Sequence, residues 1–146
     1  MKIVIDTNIL FSYFWKNSII RQIINKKLID LYTPQYAIEE ITKYKKEIIN
    51  KTKIQEKEFN KLLKEIKNKV KIVLVNEYKK ELNLEIFKTI PDKNDIDFLA
   101  LAYKYNKILW SNDRALKQQD HIIIFNTKEI LEILKKLNID LQKLSL

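Results

Sequence analysis

Ile3-Val4-Ile5-Asp6-Thr7-Asn8 opens the chain with three β-branched apolar residues, followed at once by three polar ones. A short strand that is apolar at every position, without alternation, is buried on both faces, as in a parallel sheet. Further strands are expected at Leu31-Tyr32-Thr33, Lys71-Ile72-Val73-Leu74-Val75, Ile108-Leu109-Trp110 and Ile122 to Phe125.

Helical spacings fill the intervals. Thr7 or Asn8 can cap a short helix through Trp15, and Ser18 precedes Ile19, Ile20, Ile23, Ile24 and Leu28, an amphipathic repeat. Pro34 suits the first turn of the next helix. The lysine-rich stretch from Lys43 to Lys69 is helical in pattern, with a break at Thr52-Lys53. A weaker helical stretch leads to Ile90-Pro91, Asp92 caps a helix to about Asn106, and Asn126-Thr127 caps a last helix with Ile130, Leu131, Leu134 and Leu137 on one face. Strands alternating with helices predict a single α/β domain over residues 1–146, with a parallel sheet covered on both faces. In such folds ligands bind at the carboxyl ends of the strands.

Composition removes many chemistries. The chain has no cysteine and one histidine, His121, so disulfides, thiolate zinc sites and histidine-rich metal sites are excluded. It has no glycine, which removes the phosphate-cradling Gly-rich loops of nucleotide-binding motifs. The 28 Lys+Arg against 19 Asp+Glu leave a net charge of +9, which favours polyanionic partners over an A/T-rich coding bias as its cause. No apolar run approaches the ~20 residues of a membrane span, and no targeting segment is visible, so the expected location is the cytoplasm without membrane association.

The acids then separate by geometry. Asp6 follows the first strand, where it is either a helix cap or a functional carboxylate. In the helix after Pro34, Ala37, Ile38, Ile41, Tyr44 and Ile48 define the buried face; Glu39 points nearly opposite it and Glu40 lies at its edge. Asp95 shares a face with Ile96, Leu99, Ala102 and Tyr103, whereas Asp97 points away. Asp92 reads as an N-cap, with Asp95 three residues on imitating a capping box. Asp113 follows the Trp110 strand in Ser111-Asn112-Asp113, as a turn residue or as a second acid at the same sheet edge. A parallel topology brings Asp6, Glu40, Asp95 and Asp113 together. Crowded carboxylates repel unless a cation neutralises them, and a set without His or Cys suits Mg²⁺ or Mn²⁺. Such an ion activates water and stabilises phosphate oxygens in phosphodiester hydrolysis.

These residues resemble the PIN-domain family. Ile3-Val4-Ile5-Asp6-Thr7-Asn8 resembles its opening strand, Pro34-Gln35-Tyr36-Ala37-Ile38-Glu39-Glu40-Ile41 its glutamate helix, Asp92 to Ala102 its D-x-x-D and A-L-A helix, and Leu109-Trp110-Ser111-Asn112-Asp113 its last acidic turn. The resemblance spans most of residues 3–126. It implies a three-layer α/β/α fold with a parallel sheet of four or five strands, and a Mg²⁺- or Mn²⁺-dependent ribonuclease. Its catalytic acids are Asp6, Glu40, Asp95 and Asp113, with Asp6, Asp95 and Asp113 as metal ligands. Asn8, Ser111 and Asn112 stand as supporting residues. The aliphatic residue after the family's glutamate favours Glu40, as the helical geometry does independently. Many members are VapC-type toxins held by an antitoxin, so an antitoxin and a homodimer are candidate partners beside single-stranded or structured RNA. The sequence departs from the pattern in its long lysine-rich helical pair, about 43–70, which counts against the toxin subgroup without removing it, and in Asp97, which is left out of the site.

Ten lysines and four glutamates lie between Lys43 and Lys69. Lys43, Lys46 and Arg114 are candidate nucleic-acid contacts; the ordinary alternative for the lysines is a solvated face with Glu–Lys pairs. Phe59, Leu62, Leu63, Ile66 and Val70 form a stripe better suited to core or a dimer contact than to base stacking. A catalytically silent RNA-binding or scaffold module and a phospho-acceptor receiver domain are the competing functions. The receiver reading needs a second acid beside Asp6, and Val4-Ile5 supplies none.

Overall fold

In the computed structural model, which describes residues 1–137, five parallel strands form one sheet in the order β3-β2-β1-β4-β5. They are β1 (Lys2–Ile5), β2 (Asp30–Pro34), β3 (Lys71–Val73), β4 (Ile108–Trp110) and β5 (Ile123–Phe125). The five expected strands are present; the third stops at Val73, because Val75 enters a 3₁₀ turn. Ile3, Val4 and Ile5 are all buried, which is why alternation is absent from this strand.

The helices are α1 (Thr7–Phe11), α2 (Ile19–Asn25), α3 (Gln35–Lys43), α4 (Lys45–Thr52), α5 (Glu56–Lys69), α6 (Lys79–Leu82), α7 (Ile96–Lys104) and α8 (Thr127–Lys136). Chain order moves from β1 outward through β2 to β3, then returns to β4 on the other side of β1. Right-handed crossovers therefore set the helices of the two halves on opposite faces of the sheet. α7 packs on β1, β2 and β4 through an almost wholly buried run, Phe98 to Ala102. The reversal opens a crevice between the carboxyl ends of β1 and β4.

The lysine-rich pair is α4 and α5. Phe59, Leu62, Ile66 and Val70 are core residues, and Phe14 stacks on Phe59 with centroids 4.8 Å apart. The stripe is thus core. α5 is further pinned at its end: the Tyr13 hydroxyl lies 2.7 Å from Asn25 Oδ1 and 3.0 Å from Glu65 Oε1, sharing its one proton between them, and Lys69 Nζ donates to Asn25.

Other boundaries differ from the sequence reading, each for a local reason. Asp6, rather than Thr7 or Asn8, caps α1 by accepting from the Ile9 N–H at 3.0 Å. The helix after Pro34 breaks at Tyr44, where φ −96° and ψ 17° leave the helical region. Asp92 caps only a 3₁₀ turn, Lys93–Asp95, and α7 begins after it; Asp95 makes no capping hydrogen bond, so no capping box forms. Leu137 is 58% exposed, beyond the end of α8, while Ile130 and Leu134 are buried. Residues 138–146 of the single-domain reading lie outside the described residues.

Candidate active site

The crevice between β1 and β4 receives acids from four segments. Asp6 leaves the end of β1, and its N–H donates to the Trp110 carbonyl of β4 at 3.2 Å. Asp113 stands three residues after β4, Glu40 projects from α3, and Asp95 ends the 3₁₀ turn before α7. All four line one cavity of about 160 Å³, together with Thr7, Asn8, Asp92 and Asn94.

Hydrogen bonds aim the acids. The Thr7 hydroxyl donates to Glu40 Oε1 at 2.5 Å, joining α1 to α3. Buried Ser111 donates to the Asp6 carboxylate and accepts the Asp113 N–H at 3.1 Å, so one hydroxyl links two acids. Thr33, fully buried on β2, donates to the Ile5 carbonyl at 2.8 Å and fixes the strand end that presents Asp6. Tyr36 Oη donates to Asn94 Oδ1 at 2.7 Å, tying α3 to the turn that carries Asp95. Asp113 also caps its own turn, accepting from the Ala115 N–H at 3.0 Å.

Electrostatics show the cost of this crowding. Burial pushes the Asp6 carboxyl up to about 6; the Ser111 and Ile9 hydrogen bonds oppose the shift, and the Asp113 and Glu40 charges add to it. Burial also raises Asp95 to about 6, reinforced by Asp92, Asp113, Asp6 and Glu40. Glu40 is raised by burial, with the Thr7 bond opposing. Among the described residues no Lys or Arg forms an ion pair with any of these acids, and Asp95 meets no hydrogen-bond donor. Half-buried negative charge without a counter-charge is unfavourable unless a cation arrives.

The all-oxygen donor set fits a hard divalent cation. Among the described residues, no three acidic or imidazole groups are gathered closely enough to enclose a metal ion. The fit is therefore to a hydrated ion, since Mg²⁺ keeps several waters and takes one or two carboxylates.

The other sequence candidates are distributed as follows. Asn8 is exposed at the mouth and makes no hydrogen bond to the acids among the described residues. Asn112 faces away, its Oδ1 accepting from the Thr127 N–H at 2.9 Å and so holding α8 to the β4 turn. Arg114 lines an adjacent hollow with Lys117 and Lys128. Lys43 and Lys46 are exposed and do not line the acidic cavity, although the Lys43 charge reaches Glu40. Asp97 accepts from Tyr78 Oη at 2.5 Å and stays out of the cavity. Sequence reasoning missed Thr7 as a link to Glu40, and missed Asp92 as a fifth acid in the cavity. The Asp92–Asp95 spacing was the available signal for the latter.

A family profile described as PIN domain matches residues 4–135. No curated protein sequence matches the chain. Among solved structures, the chain is similar to one in a crystal structure of VapBC2 from Rickettsia felis bound to a DNA fragment from their promoter. The TM-score is 0.63 at 18% identity, over 86% of this chain and 98% of that one. At that identity the likeness speaks for the fold.

Proposed function

This chain belongs to the PIN-domain family, and on that premise we propose that it is a nuclease that hydrolyses phosphodiester bonds of RNA with Mg²⁺ or Mn²⁺. The observation that carries the reading is Asp95: a half-buried carboxylate that, among the described residues, has no hydrogen-bond donor and no ion pair and lines one cavity with Asp6, Glu40, Asp92 and Asp113. A divalent cation would offset the repulsion among these carboxylates.

Asp6, Asp95 and Asp113 are the carboxylates that would hold the ion, one or two of them directly and the rest through its waters. When bound, it lowers the pKa of a water and offsets charge on the phosphate oxygens. Glu40, raised by burial and aimed by Thr7, is suited to receive the proton of the attacking water. Ser111 holds Asp6 and Asp113 in mutual register. Arg114, in the hollow that shares Ser111 and Asp113 with the acids, is available to the phosphate. Its neighbours Lys117 and Lys128 extend that positive edge. The fold shared with a chain of the VapBC2 structure makes a toxin of a toxin–antitoxin pair the narrower form of this proposal.

A second reading has its own observation. The acids do not close around a metal as they stand, which favours a silent RNA-binding or scaffold module. One experiment separates the two. Purified chain is incubated with labelled single-stranded RNA and Mn²⁺ or Mg²⁺, with and without EDTA, beside Asp6→Asn. The expected result is cleavage that EDTA stops and that Asp6→Asn lowers by roughly 100-fold or more, since even positioning partners of metal ligands cost 10–100-fold. Binding without cleavage of any RNA would favour the silent module, and cleavage indifferent to both changes would remove the site.

A further inference from the structure

Next to the acidic cavity lies a larger groove of about 470 Å³. Phe11, Trp15 and Tyr44 line it, with Ile48 beside them and Glu47 and Lys51 at its rim. Asn8 and Glu40 line both hollows, so the two adjoin. Phe11 and Tyr44 meet edge to face, centroids 6.1 Å apart and planes at 85°. Trp15 is 49% exposed and Tyr44 39% exposed, although the chain buries its other tryptophan, Trp110, completely. Large aromatics left open in a concave site mark a binding surface.

Charge narrows the occupant. Lys51 and Glu47 pair at 2.9 Å, so the rim carries no net charge there. The Lys43 ammonium sits 5.5 Å from the Tyr44 ring centroid and its charge reaches Glu40, both of them groove-lining residues. Open aromatic rings in a hollow adjoining the proposed phosphate site, flanked by a lysine, match a nucleotide: base on the rings, backbone toward the ammonium and the acids. Single-stranded RNA is read by stacking splayed bases on aromatic side chains, whereas a base inside a duplex cannot reach such a pocket.

We propose that this groove takes an unstacked nucleobase flanking the scissile phosphate, held on the rings of Trp15 and Tyr44. The proposal rests on the nuclease reading above. Its test uses the wild-type chain in EDTA, where tryptophan emission is followed during titration with a short single-stranded oligoadenylate, the matching abasic strand and a duplex. Only Trp15 is exposed to quenching, because Trp110 is buried. The oligoadenylate should quench, and the abasic strand and duplex should quench far less. Followed by the anisotropy of a labelled oligoadenylate, Trp15→Ala and Tyr44→Ala should each weaken binding roughly tenfold or more, the loss of one stacked base, and raise KM for cleavage in Mn²⁺, while Tyr44→Phe retains binding. Asp6-dependent cleavage with unchanged KM in both alanine variants would overturn the groove and leave the nuclease standing. Quenching by oligoadenylate without any cleavage would keep the groove and remove the nuclease. Equal quenching by duplex and single strand would overturn the proposal. So would quenching by an amphipathic Leu–Glu helical peptide where the oligoadenylate gives none, which would assign the groove to a protein partner.

Discussion

Asp6 serves two opposing demands. Its carboxylate caps α1 through the Ile9 N–H, which stabilises the fold, and its burial among acids works against the charged form. Burial lifts it from 3.8 to about 6, so the folded chain binds a proton more tightly than the unfolded chain does. The stability this group confers is whole below about pH 4 and is lost as pH rises through about 6, an upper figure of about 3 kcal/mol at neutral pH. Asparagine keeps an oxygen for the Ile9 cap and has no charge to bury. Asp6→Asn is therefore expected to match wild type in stability at about pH 4. Without metal at about pH 7.5 it should be the more stable by up to about 3 kcal/mol, at about 2–4 °C in Tm per kcal/mol. Denaturant titrations at the two pH values measure this, and a difference independent of pH would refute it. Activity moves the other way, because the destabilising charge is the one proposed to hold the ion. At this scale the acids that meet in the cavity were legible, as was Ser111 beside them, and the threonine supports were not. Glu40 and Asp95 were separable from Glu39 and Asp97 because a helix converts spacing into direction. Thr7 and Thr33 act across 33 and 28 residues of sequence, and no local pattern encodes such a bond.

Helix ends show what the absence of glycine means for whole elements. Among the described residues three have positive φ, and all are lysines: Lys27 at 52°, Lys53 at 62° and Lys107 at 60°. Lys53 is the C-cap of α4, a left-handed position that glycine takes without a Cβ clash. The left-handed conformation costs an L-residue about 1–2 kcal/mol, part of which glycine gives back through its freer unfolded chain. Lys53→Gly is thus expected to stabilise the chain by about 0.5–1 kcal/mol, read as a higher denaturation midpoint at unchanged slope. Lys107 is a poorer site for the test, since its ammonium lies 4.6 Å from the Tyr103 ring centroid and glycine would lose that contact. A lower midpoint for Lys53→Gly would mean that the side chain, and not its backbone, holds this turn. The same scarcity explains which elements could be read in advance. The apolar strands and the amphipathic α2, α5 and α8 declare themselves by period. Residues 75–90 form two 3₁₀ turns and a four-residue helix, too short for any period to accumulate.

Net charge belongs to the molecule as a whole, and its distribution decides whether it serves binding or solubility. Part of the lysine excess is used internally: Lys45 pairs with Glu56, Lys51 with Glu47 and Lys69 with Glu65. Lys57, Lys61 and Lys64 differ. They recur along one exposed face of α5 and form no ion pair among the described residues. The opposite face of that helix is core, so the row is held rigidly on the surface. If the row meets phosphates, each contact releases condensed counterions, and the logarithm of affinity falls with the logarithm of salt by about 0.7 per contact for a single strand. Replacing all three with Gln lowers the net charge from +9 to +6. The triple variant is expected to weaken RNA binding in low salt and to flatten the salt slope by up to about 2. Its stability should change little, within about 0.5 kcal/mol per site for exposed positions. Turnover at saturating RNA should hold, because none of the three lines the acidic cavity. Anisotropy titrations across a salt series make the decision: an unchanged slope would mean that the row only solvates α5. A flattened slope would extend the nucleic-acid surface from the acidic crevice onto the helical pair, beyond the sheet edge where the acids meet.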